Sequence, residues 1–133
     1  MMLKRRYRLK WKDVNFLVRR RQFFANWFFG FFYWDQYPNL KFNQISVNIP
    51  IKYSKKAVHR VRLKRILNDY IQKNWLDKKT INWKFYKIFI FINKNSISEL
   101  KSQMEKVDKK DTNHYIQNQF ETSFLKFIGK LWS

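Results

Sequence analysis

The chain has no cysteine, two glycines, two prolines, two histidines and nine acidic residues in 133. Each scarcity excludes something. Without cysteine there is no disulfide framework, no thiolate metal site and no cysteine nucleophile, and the redox compartment is left open. Without a glycine-rich stretch there is no loop of the kind that cradles a nucleotide phosphate. The acids stand mostly singly among lysines. Glu99, Glu105 and Asp108 share one region, but helix capping and surface pairing account for them, and no carboxylates converge as a metal-dependent nuclease requires. His59 and His114 are far apart with no acid at metal-ligand spacing, so His59 reads as a surface or phosphate-facing residue. The sequence therefore predicts a protein that is not an enzyme, with no catalytic residue, no metal, no cofactor and no small-molecule substrate.

Long hydrophobic runs are missing as well. The strongest apolar stretch, Phe23 to Trp34, is interrupted by Asn26 and Gly30 and is too short to cross a bilayer core of about 30 Å as a helix. The basic start followed by an apolar run has the outline of a signal peptide, but the run is bulky and aromatic and lacks a small-residue cleavage site. A mitochondrial import presequence also fits poorly, because serine and alanine are nearly absent from the first 35 residues.

What the chain does have is positive charge and aromatic bulk. It carries 29 Lys and Arg against 9 Asp and Glu, a net charge of +20, together with 45% apolar and 20% aromatic residues. The apolar content argues against disorder throughout, and the length suits one compact domain with extensions at its ends. Self-repulsion at this net charge opposes folding. It points to an anionic partner: nucleic-acid phosphates, an anionic membrane face or an acidic protein.

The charge is concentrated. Residues 1–21 carry +8 and residues 52–65 carry +7, whereas residues 22–51 and 111–133 each sum to zero. All nine arginines fall in the two basic blocks. Clustered arginine, with its planar fork of donors, suits phosphate oxygens and stacked bases better than scattered lysine does. In the first block, Lys4, Arg5, Arg6, Arg8, Lys10 and Lys12 alternate with Tyr7 and Trp11, and aromatics among cations stack on unpaired bases. Arg19, Arg20 and Arg21 close that block. In the second, Lys52, Lys55, Lys56, Arg60, Arg62, Lys64 and Arg65 surround much of one helical segment, more than a solvated face needs. The RNA-binding set read from the sequence is therefore Lys4, Arg5, Arg6, Arg8, Lys10, Trp11, Arg19, Arg20, Arg21, Lys52, Lys55, Lys56, Arg60, Arg62, Lys64 and Arg65. Its mechanism would be phosphate neutralisation with counterion release, positioning the protein without reading sequence.

Composition carries a second message. Lys, Asn, Ile, Phe and Tyr supply 65 of 133 residues, while Ala, Gly and Pro supply six, a bias that follows codon AT content. A chain so skewed, with these arginine blocks, resembles the mitochondrially encoded ribosomal proteins of ciliates and similar protists. The resemblance implies a structural constituent of the mitochondrial ribosome in the mitochondrial matrix, contacting ribosomal RNA and neighbouring ribosomal proteins, and it explains why no import signal is found. Two other classes compete. An accessory subunit of a mitochondrial respiratory complex would lay the aromatic belt at 23–34 and Arg19 to Arg21 on an anionic membrane, but a second cationic block and the lack of a spanning segment speak against it. A free-standing DNA-binding or maturation factor needs a recognisable reading helix, and none is visible.

Local patterning organises the chain into a basic RNA-contacting extension that runs into the start of a helix (1–21) and a single mixed helix/strand domain (22–133). Unbound, such an extension is expected to be mobile. Trp11, Val14, Leu17 and Val18 recur at helical spacing, and that helix is expected to run on towards the aromatic segment 23–34. Asp35 to Pro38 is a break. Phe42 to Ile51 alternates as a half-buried strand, with Ile45, Val47, Ile49 and Ile51 inward, Gln44, Ser46 and Asn48 outward, and Pro50 marking an edge. Ser54 to Trp75 reads as a basic helix with Val58, Val61, Ile66, Leu67, Tyr70, Ile71 and Trp75 on its apolar face. Ile81 to Ile92 reads as a central strand. Ser96 and Glu99 form a capping-box pattern for a helix bearing Ile97, Leu100, Met104 and Val107. Lys106 to Asp111 reads as a loop, and 114–132 as an amphipathic helix with Ile116, Phe120, Phe124, Phe127, Ile128 and Leu131 inward. The predicted fold is α+β or small α/β, a short sheet with flanking helices. Because two strands alone are marginal, a third is expected in the aromatic region or from a partner, with a right-handed βαβ unit joining the two visible strands.

Overall fold

In a computed structural model of the chain, the alternation in Phe42 to Ile51 and the apolar run ending at Ile92 both become strands, and the aromatic segment supplies two more. The structure describes residues 5–26, 28–50, 55–74, 85–94, 97–106 and 109–132. The elements in order are a short 3-10 helix (Arg5–Tyr7), α1 (Trp11–Arg20), β1 (Phe23–Ala25), β2 (Phe29–Asp35), β3 (Gln44–Asn48), α2 (Ala57–Asn74), β4 (Tyr86–Ile92), α3 (Ile97–Lys106) and α4 (Lys109–Trp132). The fold is α+β: a four-stranded mixed sheet in the order β1-β2-β4-β3, flanked by helices. β2 runs antiparallel to β1 and β4, and β3 runs parallel to β4. Parallel neighbours cannot be joined by a hairpin. The chain from β3 to β4 includes α2, and β4 is central while β3 lies at an edge, as the two sequence patterns imply.

Helix α1 does not continue into the aromatic segment as the spacing suggested. Arg21 adopts a left-handed conformation (φ 56°, ψ 25°) and terminates it, an arrangement that stops a helix because the chain direction changes at once. The nine aromatics of residues 23–34 cannot all be buried by one helix. An antiparallel pair sorts them onto two faces, and aromatic side chains suit a pleated, half-buried surface.

One face of the sheet carries the core. Phe29 and Phe31 of β2, Ile45 and Val47 of β3 and Ile88, Ile90 and Ile92 of β4 pack with Leu63, Ile66, Leu67 and Ile71 of α2 and with Ile116, Phe120, Phe124, Phe127, Ile128 and Leu131 of α4. All six α4 residues read as inward-facing from their spacing are buried. Phe31 stacks on Phe127 at 4.6 Å and 7° and meets Phe124 edge-on at 5.8 Å, while Phe29 meets Phe120 at 5.3 Å. Such pairs add about 0.5–1.5 kcal/mol each beyond their buried area. Asn26 ties the β1–β2 turn to α4 by donating from Nδ2 to the Ser123 carbonyl at 3.0 Å.

Several local expectations are corrected. The first turn and a half of α2 stands clear of the core, so Val58 and Val61 are exposed and burial begins at Leu63. On α1 the buried face is Asp13, Val14 and Leu17, leaving Trp11 and Val18 in solvent. Gln44, expected outward, is buried because it donates to the Arg6 carbonyl at 2.9 Å. Residues 109–111 are helical rather than part of a loop. The expected caps Ser54 and Ser96, the ends Ile51, Trp75 and Val107 and the strand start at Ile81 lie outside the described residues.

The basic N-terminal segment is described from Arg5 onward, where it lies against the domain. Tyr7 is buried in the core cluster and meets Phe42 edge-on at 5.6 Å. Arg8 makes a parallel bridge to Ile45, and the Leu9 N–H donates to the Ile45 carbonyl at 3.2 Å. Cutting Tyr7 back to alanine is therefore expected to destabilise the fold by about 3–5 kcal/mol, as for other buried aromatics, measured by urea denaturation. Gly129 is the converse case: it is exposed within α4 and a β-carbon there would touch nothing. Gly129→Ala should raise stability by about 0.5–1 kcal/mol in the same measurement.

Candidate nucleic-acid interface

Strand alternation leaves the second face of the sheet to be accounted for. By register, Phe23, Phe32, Phe89 and Ser46 form one row across all four strands, and Ala25, Gly30, Phe91 and Asn48 form the next. The rings are contiguous: Phe32 lies 5.4 Å from Phe23, 6.2 Å from Phe89 and 5.1 Å from Phe91. Phe91 lies over Gly30, where any side chain would collide with its ring. Phe23 is exposed, and Phe32, Phe89 and Phe91 are half-buried. These aromatics touch one another and water, not the core. A row of ring faces on an open sheet is a platform on which unpaired bases stack, each contributing about 1–3 kcal/mol.

Helix α1 crosses the same face towards one end of β2 and β4. Arg20 places its guanidinium 3.6 Å from the centre of the Trp34 ring. Lys87 is 4% exposed, and its ammonium sits 4.2 Å from the Tyr37 ring centre and 4.9 Å from that of Phe16, so ring faces replace much of its hydration. Asp13 is also 4% exposed and accepts the Tyr37 hydroxyl proton at 2.6 Å. Asp13, Phe16, Trp34, Tyr37 and Lys87, with Lys12, Arg19 and Asp35, line a cleft of about 530 Å³ between α1 and the sheet. Cations on its rim and aromatic rings in its walls match both halves of a nucleotide, phosphate and base.

The residues read from the sequence as RNA-binding are placed as follows. Arg5, Arg6, Arg8, Lys10, Arg19, Arg20, Arg21, Lys55, Lys56, Arg62, Lys64 and Arg65 are exposed or nearly so, as is Trp11, and Arg60 is half-buried. Lys4 and Lys52 lie outside the described residues. Arg5 to Lys10 run beside the edge of β3, and α2 packs on the core side of the same strand. Both basic blocks therefore border β3, the N-terminal segment along its edge and α2 on its core side, and Arg19 to Arg21 lie at the far end of α1 towards β2. They form a cationic rim, not one patch. The open aromatic row and Lys87 were missed. A period of two was present in Phe23 to Trp34, but with nearly every position apolar the hydrophobic pattern gave no contrast to read. Among the described residues no group of His, Asp or Glu is placed to hold a metal ion, and no helix is long and apolar enough to cross a membrane.

Three tyrosines titrate above their ordinary value of 10.0: Tyr37 through its hydrogen bond to Asp13, with burial and the Asp13 charge adding to it; Tyr86 through burial and the charge of Asp35; and Tyr115 through burial and the charge of Glu99. Folding favours the neutral phenol in each. The stabilisation is complete below the ordinary tyrosine pKa and is lost as pH rises through the raised values. Asp13→Asn should bring Tyr37 back towards its ordinary value, read as an earlier phenolate absorbance step in an alkaline titration, while Tyr86 and Tyr115 stay late.

No protein-family model matches the chain, and no curated protein does. Among solved structures the fold is similar to RNase P protein from Thermotoga maritima. One such structure, in complex with 1-(4-fluorophenyl)-2-thiourea, superposes with a TM-score of 0.61 at 20% identity, covering 85% of this chain and 96% of that one. A second structure of the same protein gives a TM-score of 0.60 at 19% identity over 86% and 96%. The likeness spans nearly all of the bacterial protein and shows that the two chains share a fold.

Proposed function

We propose that this protein binds RNA as a non-catalytic protein component of a ribonucleoprotein. The observation that carries the reading is the aromatic row Phe23, Phe32 and Phe89 on the open sheet face, in a chain whose arginines lie on the helices and N-terminal segment around that sheet. The arginines and lysines of α2 and of the N-terminal segment neutralise phosphates, which anchors the RNA without reading its sequence. The open row and the cleft beside α1 take unpaired bases.

The similarity in fold to RNase P protein supports the RNA-binding reading. A ribosomal constituent is the assembly that composition supports, and the AT-skewed composition favours the mitochondrial matrix. The aromatic segment 23–34 supports a membrane-surface role less well, because its strands bury Phe28, Phe29 and Phe31 in the core.

RNA affinity should fall steeply with salt. Replacing Arg60, Arg62 and Arg65 by glutamine should reduce the slope of log affinity against log salt by roughly 0.7–0.9 for each phosphate that is no longer neutralised, whereas Phe32→Ala should weaken binding to single strands at unchanged slope. Filter binding of the purified chain to single-stranded and hairpin RNA measures both. Affinity insensitive to salt, or an unchanged slope in the triple variant, would remove the RNA reading. Sedimentation of the native complex with and without ribonuclease then separates a small ribonucleoprotein from a ribosomal subunit.

A further inference from the structure

We infer that Trp11 is a stacking anchor for one unpaired nucleobase, so that the RNA entering at the start of α1 is single-stranded there: a loop, a bulge or an end. The inference rests on the RNA reading above and deepens it at one position.

Trp11 is 75% exposed, the most exposed of the large apolar side chains among the described residues. Its helical spacing with Val14 and Leu17 suggests a core position, yet those two are buried and Trp11 is not. Asp13 explains the difference. Its hydrogen bond to the Tyr37 hydroxyl is made on the buried side of α1 and turns Asp13, Val14 and Leu17 inward, which leaves the indole on the outside. None of the described residues stacks on it. Trp34 offers the contrast: its ring is already covered by the Arg20 guanidinium at 3.6 Å, so it has no free face of that kind.

The surroundings select the partner. Arg8, Lys10 and Lys12 are exposed within four residues of Trp11. The one nearby acid, Asp13, is buried and engaged with Tyr37. Lys10 at the helix N-cap offers no side-chain cap, and its carbonyl accepts from the Asp13 and Val14 N–H groups, so the Trp11 and Lys12 N–H groups add donors beside the indole. An apolar protein surface docking here would have to desolvate Lys10 and Lys12 along with the indole. A nucleotide brings what the site lacks: a flat π-face for the indole and a phosphate for the cations. A duplex cannot do this, because its bases are already stacked.

The test compares full-length wild type, Trp11→Ala and Trp11→Phe by fluorescence anisotropy against a short single-stranded RNA, a blunt-ended RNA duplex without a loop and anionic lipid vesicles. Trp11→Ala should weaken single-strand binding about tenfold, the lower part of the range for one stacked base. Trp11→Phe should restore most of it. Duplex binding should change less than about twofold, since its affinity comes from phosphate contacts, and melting temperatures should nearly coincide because the ring is largely exposed. Unchanged single-strand binding in Trp11→Ala, or an equal loss for duplex and single strand, overturns the inference while leaving the RNA reading in place. Loss of vesicle binding with RNA binding intact overturns it in favour of a membrane contact. Failure of the wild type to bind either RNA removes both readings together.

Discussion

Strand β2 contains no charged or amide side chain from Phe29 to Trp34, and a strand must send alternate residues to opposite faces. That constraint organises the rest of the molecule. Phe29 and Phe31 go to the α4 side, where stacking on Phe120, Phe124 and Phe127 closes the core. Phe32 and Trp34 are thereby forced to the other side. A chain with polar residues at positions 32 and 34 would fold as well with a hydrated outer face; this one carries rings there, and β1 and β4 add Phe23, Phe89 and Phe91 beside them. The open platform is thus the geometrical complement of the core, built by the same strand.

The parallel pairing of β3 with β4 is the second organising feature. It requires a crossover, and the crossover includes the basic helix α2. The same strand β3 receives the N-terminal segment at its free edge, through Arg8, Leu9 and the Gln44 side chain. Pairing that edge partly covers backbone groups that would otherwise invite another chain. It also draws the two arginine blocks, far apart in sequence, to one strand.

A net charge of +20 is tolerated because the cations are dispersed around the rim, where water and salt screen them. Lys87 is the exception, held inside between Tyr37 and Phe16. Its long apolar stem fits the sheet, and its charge lies within the cleft instead of on the rim. The distribution suits a long polyanion that passes over several elements better than a compact anion, which would need the cations converged on one point.

Much of this was legible in the sequence. Helical spacing in Ile116 to Leu131 identified the apolar face of α4, period-two alternation found β3, and the apolar run found β4 as the central strand, because in each case apolar and polar residues contrast at the period of the element or the run is apolar on both sides. The clustering of arginine, and with it the class of partner proposed, was likewise a property of the sequence. What it left undecided is the set of questions that depend on contacts distant in sequence. Phe23 to Trp34 could be sorted into core and platform only by its partners in β4 and α4, since the segment has no internal contrast. The burial of Tyr7, through Phe42 and Ile45, made part of the fold out of what composition alone reads as a tail. The exposure of Trp11 was decided by Asp13 and Tyr37, a hydrogen bond across 24 residues: local periodicity says that a helix has an apolar side, but only the tertiary contact says how far the helix is turned and which ring is left facing the solvent.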